Sequence, residues 1–298
     1  MKLKFKSPAK INLGLKILGK RDDGYHELET LLQMVTLYDE IELETIESGI
    51  EISCDVPGIP LDSSNLAYRA ALKLQQKCPN RKQGVRIRLN KSIPAGAGLG
   101  GGSGNAACVL MGLNKLWDLK LTRSELIPLA SELGSDVPFF LTSPCAIGRG
   151  RGEILEPVQH SEKFHVLLVS PGFPIATPWV YQNLKMKLTK DENNISILRK
   201  FVLKSEIEAL GAGLFNDLEV VVIERYAVIR SVKQALLALG AQGVLLSGSG
   251  STVFAIFDNH ERAESAYANY KKEDGGLFLT ETVTGFSEFL PEEILNYP

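Results

Sequence analysis

The run Pro94-Ala95-Gly96-Ala97-Gly98-Leu99-Gly100-Gly101-Gly102-Ser103-Gly104-Asn105-Ala106-Ala107 decides how the rest of the chain is read. From Gly96 to Gly104, six of nine residues are glycine. Ahead of it, Val85-Arg86-Ile87-Arg88-Leu89 alternates apolar and basic residues, the pattern of a half-buried strand. Behind it, Ala106, Val109, Leu110, Leu113, Leu116 and Trp117 recur at helical spacing, which predicts a helix from Asn105 to about Trp117. Strand, glycine loop and helix start thus follow one another. Such a loop offers consecutive backbone N–H groups with no Cβ in front of them, at the positive end of a helix dipole. That is an anion site, most naturally for phosphates. A flexible linker is a poor reading of a stretch bracketed by a strand and an apolar helix.

Two familiar phosphate loops do not fit. A Walker loop needs Lys and Ser/Thr after its last glycine, and Gly104 is followed by Asn105-Ala106-Ala107. Gly96, Gly98 and Gly101 spell G-x-G-x-x-G, with Asp118 about where a ribose-binding acid belongs. Asp118, however, still lies on the helical pattern rather than at the end of a second strand, and Pro94 separates strand from glycines. The dinucleotide match is accidental.

At 298 residues the chain is long enough for a large core and two lobes. With 33 Lys and Arg against 35 Asp and Glu the net charge is −2, and no long basic block points to nucleic acid. Cys54, Cys78, Cys108 and Cys145 are widely spaced, so neither a disulfide framework nor a zinc site is indicated. The N-terminus is basic, but Lys10, Asn12 and Lys16 interrupt every apolar run there, unlike a signal peptide, and no apolar run reaches membrane-span length. A soluble cytoplasmic protein with no membrane partner is expected.

In chain order, Leu3 and Phe5 alternate with lysines, and after Ser7-Pro8 a second strand carries Ile11, Leu13, Leu15 and Ile17 on one face, Lys10 and Asn12 on the other. A turn-rich loop from Gly19 to Glu27 ends in Tyr25-His26, and Leu28 to Leu37 reads equally as helix or strand. Strands are expected at 39–44 and 50–54, and a helix capped by Ser64 or Asn65 runs through Lys77. Thr122-Arg123-Ser124-Glu125 is a capping box for a helix to about Leu133. Asp136, two residues before Pro138, reads on its own as the N-cap of a following helix. A strand at 145–147 follows. A second lobe starts near Lys163, with a strand at 164–169, a helix from Thr177-Pro178, helical pattern over 191–213, and a helix pair from Asn216-Asp217 to Leu239. Strands at 244–246 and 253–257 flank Ser247-Gly248-Ser249-Gly250-Ser251, which is either a hairpin turn or a wall close to a nucleotide. A helix over 260–270 and a strand over 277–283 close the lobe.

Ser7-Pro8-Ala9-Lys10-Ile11-Asn12-Leu13, Arg21-Asp22-Asp23-Gly24-Tyr25-His26-Glu27-Leu28, the glycine loop, Leu133-Gly134-Ser135-Asp136-Val137-Pro138-Phe139 and Leu246-Ser247-Gly248-Ser249-Gly250-Ser251 together resemble the GHMP kinases, the galactose, homoserine, mevalonate and phosphomevalonate kinases. The resemblance spans nearly the whole chain. The glycine loop alone points only to that superfamily. The pairing of P-A-K-I-N with D-G-Y-H points to the branch whose alcohol is diphosphocytidyl methylerythritol, of the non-mevalonate isoprenoid pathway.

The resemblance implies an α+β, two-lobe GHMP kinase fold. Its N-terminal lobe, 1–160, is ribosomal protein S5 domain 2-like, and its C-terminal lobe, 161–298, is ferredoxin-like, with the active site in the cleft between them. It implies an ATP-dependent kinase with Mg²⁺, acting on the 2-hydroxyl of that small molecule, with Asp136 as base and Lys10 as its electrostatic partner. Pro94, Ala95, Gly96, Ala97, Gly98, Leu99, Gly100, Gly101, Gly102, Ser103 and Gly104 cradle the ATP phosphates, with Asn65 and Lys91 on the adenine side. Tyr25 and Tyr181 sandwich the cytosine, His26 bonds its edge, Asn12 lies near the erythritol chain, and Thr177, Ser247, Gly248 and Ser249 complete the substrate side. No residue is assigned to the metal directly; Ser103 is the one candidate. The family usually carries two consecutive serines after the glycines, where this chain has Ser103-Gly104. Monomer and homodimer both stay open. The alternatives are a GHMP kinase for another small alcohol, such as homoserine or mevalonate, and an inactive GHMP-fold binding module.

Overall fold

In the computed structural model, which describes residues 1–79, 83–184, 194–271 and 275–295, β1 (Lys2–Lys20) and β2 (His26–Ile46) form a long antiparallel pair. The expected break at Ser7-Pro8 does not occur. Proline has no N–H for the ladder, and a register shift between Pro8 and Ala9 absorbs it. The shift also turns the strand over. Leu3 and Phe5 face one core, whereas Ala9, Ile11 and Leu13, of the same sequence parity, face another. Lys10 and Asn12 are thereby delivered, buried, to the side on which the glycine loop lies.

β3 (Ile50–Cys54), α1 (Leu66–Lys77), β4 (Gly84–Asn90), α2 (Gly101–Leu116), α3 (Arg123–Leu133), α4 (Phe139–Thr142), β5 (Cys145–Gly150) and β6 (Ile154–Pro157) follow. The ambiguous stretch Leu28 to Leu37 is strand, since β2 pairs β5 over Leu28–Gln33 and β4 over Glu40–Ile46. The sheet runs β3-β4-β2-β1, with β5 on β2 and β6 on β5. α1 to α4 cover one face around Leu74, Trp117, Phe139 and Phe140.

The remaining elements are β7 (His165–Ser170), α5 (Thr177–Asn183), α6 (Ile195–Lys204), α7 (Ile207–Gly213), β8 (Phe215–Asn216), α8 (Glu219–Arg225), α9 (Ala227–Ala238), β9 (Gly243–Leu246), β10 (Val253–Phe257), α10 (His260–Asn269), β11 (Gly276–Glu281), a 3-10 turn (Phe286–Glu288) and α11 (Glu292–Leu295). The first residues of the expected helical stretch, 191–193, lie outside the described residues. β8 adds in parallel to β1, and the other strands form an antiparallel sheet in the order β11-β7-β10-β9. Counted within the lobe that order is fourth, first, third, second, with helices after the first and third strands: the ferredoxin-like arrangement. Val166, Leu168, Phe254 and Ile256 face Ala9, Ile11, Leu13 and α6 in a layer shared by both sheets. The alternate residues Leu167, Val169, Val253 and Ala255 face α8 to α10.

Candidate active site

α2 begins at Gly101, four residues before the apolar periodicity suggests, because the last glycines are already helical; Gly100, at φ 68°, is its N-cap. The loop before it is held by its carbonyls. Gly96 O accepts from the Ile175 N–H (3.2 Å), Ala97 O from Thr252 N–H (3.1 Å), Gly98 O from Ser247 Oγ (3.0 Å) and Leu99 O from Lys10 N–H (2.9 Å). Among the described residues, no N–H from Ala95 to Gly100 donates to a protein acceptor. Amides left unspent beside a helix N-terminus suit an anion. At Gly98, with φ 80°, a Cβ would stand 2.1 Å from the Ser247 carbonyl oxygen, so only glycine allows the loop to meet the second lobe there.

Pro94 to Ser103 line a cleft of about 1010 Å³. Gly104 does not line it. A Cβ at Gly104 would lie 2.9 Å from both the Pro8 carbonyl oxygen and Ser7 Oγ, so the second serine of the family pattern has no room between α2 and β1. The Gly104 N–H is spent inside α2, on the Gly100 carbonyl (2.9 Å).

On the facing wall, Lys10 Nζ donates to Asn12 Oδ1 (2.8 Å), Asn12 Nδ2 to Thr30 Oγ1 (2.9 Å), and Thr30 Oγ1 to the Gly14 carbonyl (2.7 Å). Lys10 Nζ also lies 3.5 Å from Asp136 Oδ2. Asp136 caps no helix: α4 starts at Phe139, with Pro138 at its N-cap and no side-chain cap bond. The carboxylate points into the cleft, which it lines together with Lys10 and Asn12.

Tyr25, His26, Thr177 and Tyr181 line the same cleft. The rings in contact are His26 and Tyr181, with centroids 5.0 Å apart and planes tilted by 32°. Tyr25 is exposed and instead carries the Arg151 guanidinium 4.8 Å from its ring centre. The two tyrosines therefore do not pack on each other. Burial, with the charge of Lys20, holds the His26 imidazole below its usual range, and burial, with the charge of Asp136, pushes the Tyr181 phenol up. Thr177 Oγ1 lies 2.8 Å from Ser249 Oγ. The Ser247–Ser251 loop joins antiparallel β9 and β10 as a hairpin turn does, and Gly248 and Ser249 line the cleft. Ser247 itself is buried, its hydroxyl spent on the glycine loop.

Asn65 and Lys91 line the cleft from the α1 side. Asn65 caps α1, its Oδ1 accepting from Ala67 N–H (2.9 Å) and its Nδ2 donating to the Pro60 carbonyl (2.8 Å). The Lys91 ammonium bonds Asp39 and Asn105. Sequence reading misses Thr30, Asp39, Asn105 and Arg151. Arg151 has a local signal, since it lies in the glycine-arginine run 148–152; Asp39 opens an alternating strand, on the parity of Ile41 and Leu43, and is fully buried. Among the described residues no group of three or more His, Cys, Asp and Glu converges as a metal site, and no helix is long and apolar enough to cross a membrane.

Residues 65–143 match the family model of the GHMP kinases N terminal domain, and 198–275 that of the GHMP kinases C terminal domain. The chain is 45% identical over 272 residues to the 4-diphosphocytidyl-2-C-methyl-D-erythritol kinase of Syntrophotalea carbinolica, covering 91% of this chain and 95% of that one. A crystal structure of 4-(cytidine 5'-diphospho)-2C-methyl-D-erythritol kinase superimposes with a TM-score of 0.81 at 34% identity, covering 95% of this chain and 100% of that one. A homoserine kinase from Cytophaga hutchinsonii, 20% identical with a TM-score of 0.73 over 95% of each chain, shares the fold. The chain belongs to the GHMP kinases, and within them to the family of 4-diphosphocytidyl-2-C-methyl-D-erythritol kinases.

Proposed function

We propose that this chain transfers the terminal phosphoryl group of ATP to the 2-hydroxyl of 4-diphosphocytidyl-2-C-methyl-D-erythritol, the substrate named for its relatives. The observation that carries the reading is the meeting, in one cleft, of the Lys10–Asp136 pair with a glycine loop whose N–H groups are unspent. The loop from Pro94 to Ser103 holds the phosphates. Asp136 receives the hydrogen bond of the attacking hydroxyl, orienting it and taking its proton as the phosphoryl group transfers. Lys10, fixed by Asn12, balances the charge that develops between that hydroxyl and the phosphate.

Asn65 and Lys91 take the adenine side. His26, Tyr181, Tyr25 and Arg151 take the cytidine end, and Asn12, Thr177, Gly248 and Ser249 the polyol between. Mg²⁺ needs only one or two protein oxygens when phosphates and water supply the rest. The Ser103 hydroxyl, at the cleft, is a hard oxygen donor of that kind. When bound there, the ion supplies charge neutralisation to the phosphates. We take 1–160 and 161–298 as the two domains, the boundary falling between β6 and β7.

CDP tests the reading. It is expected to bind and to compete with the alcohol but not with ATP; failure of CDP to bind, with ATP still binding, removes the cytidine substrate and leaves a kinase for another alcohol.

A further inference from the structure

Among the described residues Asp39 is the one carboxylate that is fully buried, at 0% exposure. A carboxylate cut off from water needs partners for both oxygens. Here Oδ1 accepts the backbone N–H groups of Ser92 and Ile93, each at 2.9 Å. Oδ2 accepts Asn105 Nδ2 (2.9 Å) and the Lys91 ammonium, and Lys91 Nζ also donates to Asn105 Oδ1 (3.1 Å), closing a three-residue ring.

The placement of these partners matters more than their number. Ser92 and Ile93 immediately precede Pro94, and Asn105 sits one turn into α2. The loop's middle is pinned by its own carbonyls, as described above, so its two ends are what remains to be fixed. Asp39, from β2, grips both. It also takes one Lys91 proton, as Asn105 takes a second, and cancels the lysine's charge, while Lys91 stays part of the cleft wall with its Nζ 3.2 Å from where a Gly101 Cβ would be.

We propose that Asp39 is a positioning residue for the nucleotide: it sets the two ends of the glycine loop and holds Lys91 as a charge-balanced donor beside the start of α2. This rests on the reading of the loop as the ATP site. Because the Lys91 charge is cancelled within the protein, Lys91 adds no free positive charge for the phosphates and is left to offer one N–H to a neutral acceptor of the nucleoside.

The test compares the KM values for ATP and for the alcohol, with kcat, in the wild type, Asp39→Asn, Lys91→Met and the double variant, beside thermal midpoints. Asp39→Asn keeps the shape and removes the charge. It is expected to raise the ATP KM by about tenfold or more, the cost of one charge-assisted hydrogen bond, while the KM for the alcohol stays within about twofold. Lys91→Met is expected to repeat that split, and the double variant to be no worse than Asp39→Asn, because the pair acts as one unit. An unchanged ATP KM in Asp39→Asn, or both KM values rising together with a lowered midpoint, overturns the proposal. If Asp39→Asn does not fold, Lys91→Met decides: an unchanged ATP KM overturns it. A wild type that neither binds nor turns over ATP overturns the underlying reading instead.

Discussion

Lys10 and Asp136 meet at 3.5 Å across a step in burial: the lysine side chain is 5% exposed and the aspartate 40%. An ammonium taken out of water costs several kcal/mol unless it is paired and hydrogen-bonded, and Lys10 has both Asn12 and Asp136. Asp136 keeps one side open to the cleft. The pair is therefore asymmetric in the way the chemistry needs, with a fixed cation behind a carboxylate that is free to meet a hydroxyl.

Replacing Asp136 by Asn leaves the fold intact, because the side chain caps no helix and is partly exposed. It is expected to lower kcat by about 10²–10⁴-fold, with ATP affinity little changed. Steady-state kinetics beside ATP binding check this; a variant with near wild-type kcat removes Asp136 from the reaction.

At Gly104 the expected effect is on stability. Gly104→Ser pushes a side chain against the Pro8 carbonyl and Ser7 Oγ, and overpacking of this kind costs about 1–3 kcal/mol. Placing the same change in a Ser7→Ala background relieves one of the two clashes and is expected to cost less. Denaturant unfolding of the four chains measures the difference; equal costs in both backgrounds contradict the packing account.

The cytidine end is read through aromatic stacking. Tyr181→Ala is expected to weaken CDP by at least the roughly 0.5–1.5 kcal/mol that an aromatic pair adds beyond area burial, leaving ATP binding as it was. Calorimetric titration with each nucleotide gives the answer, and equal weakening of both places Tyr181 in the scaffold instead.

His26 gives the enzyme a pH-dependent element. Burial and Lys20 depress its pKa below the usual 6.5. Between the depressed value and 6.5 the unfolded chain binds the proton and the folded chain does not, so the stability His26 contributes is present above 6.5 and is lost as pH falls through that window. His160 and His165 are depressed by burial too, so the variant, not the raw curve, isolates His26. His26→Gln is expected to flatten part of the fall in thermal midpoint between about pH 7 and about pH 5; a curve parallel to that of the wild type contradicts this.

Much of this was legible in the residues. The strand–loop–helix around Gly96, the capping box at Thr122, and the positions of the four strands of the second lobe all follow local periodicity, and the structure keeps them. What local reading misses are effects of pairing between distant segments. Pro8 breaks a pattern without breaking the strand, because β2 supplies the compensating register shift. Asp136 reads as a cap until Lys10, more than a hundred residues away, is placed beside it. Asp39 shares the parity of Ile41 and Leu43, and what satisfies a carboxylate on that face is visible only once Ser92, Ile93, Lys91 and Asn105 close over it. Gly104 reads as one more loop glycine until β1 is seen to lie against it.

The most direct test of the account is ADP release from Mg-ATP with diphosphocytidyl methylerythritol, homoserine and mevalonate offered separately. Turnover with the diphosphocytidyl alcohol alone, abolished in Asp136→Asn, is the predicted result. Turnover with homoserine or mevalonate instead, or with none of the three while ATP still binds, contradicts it.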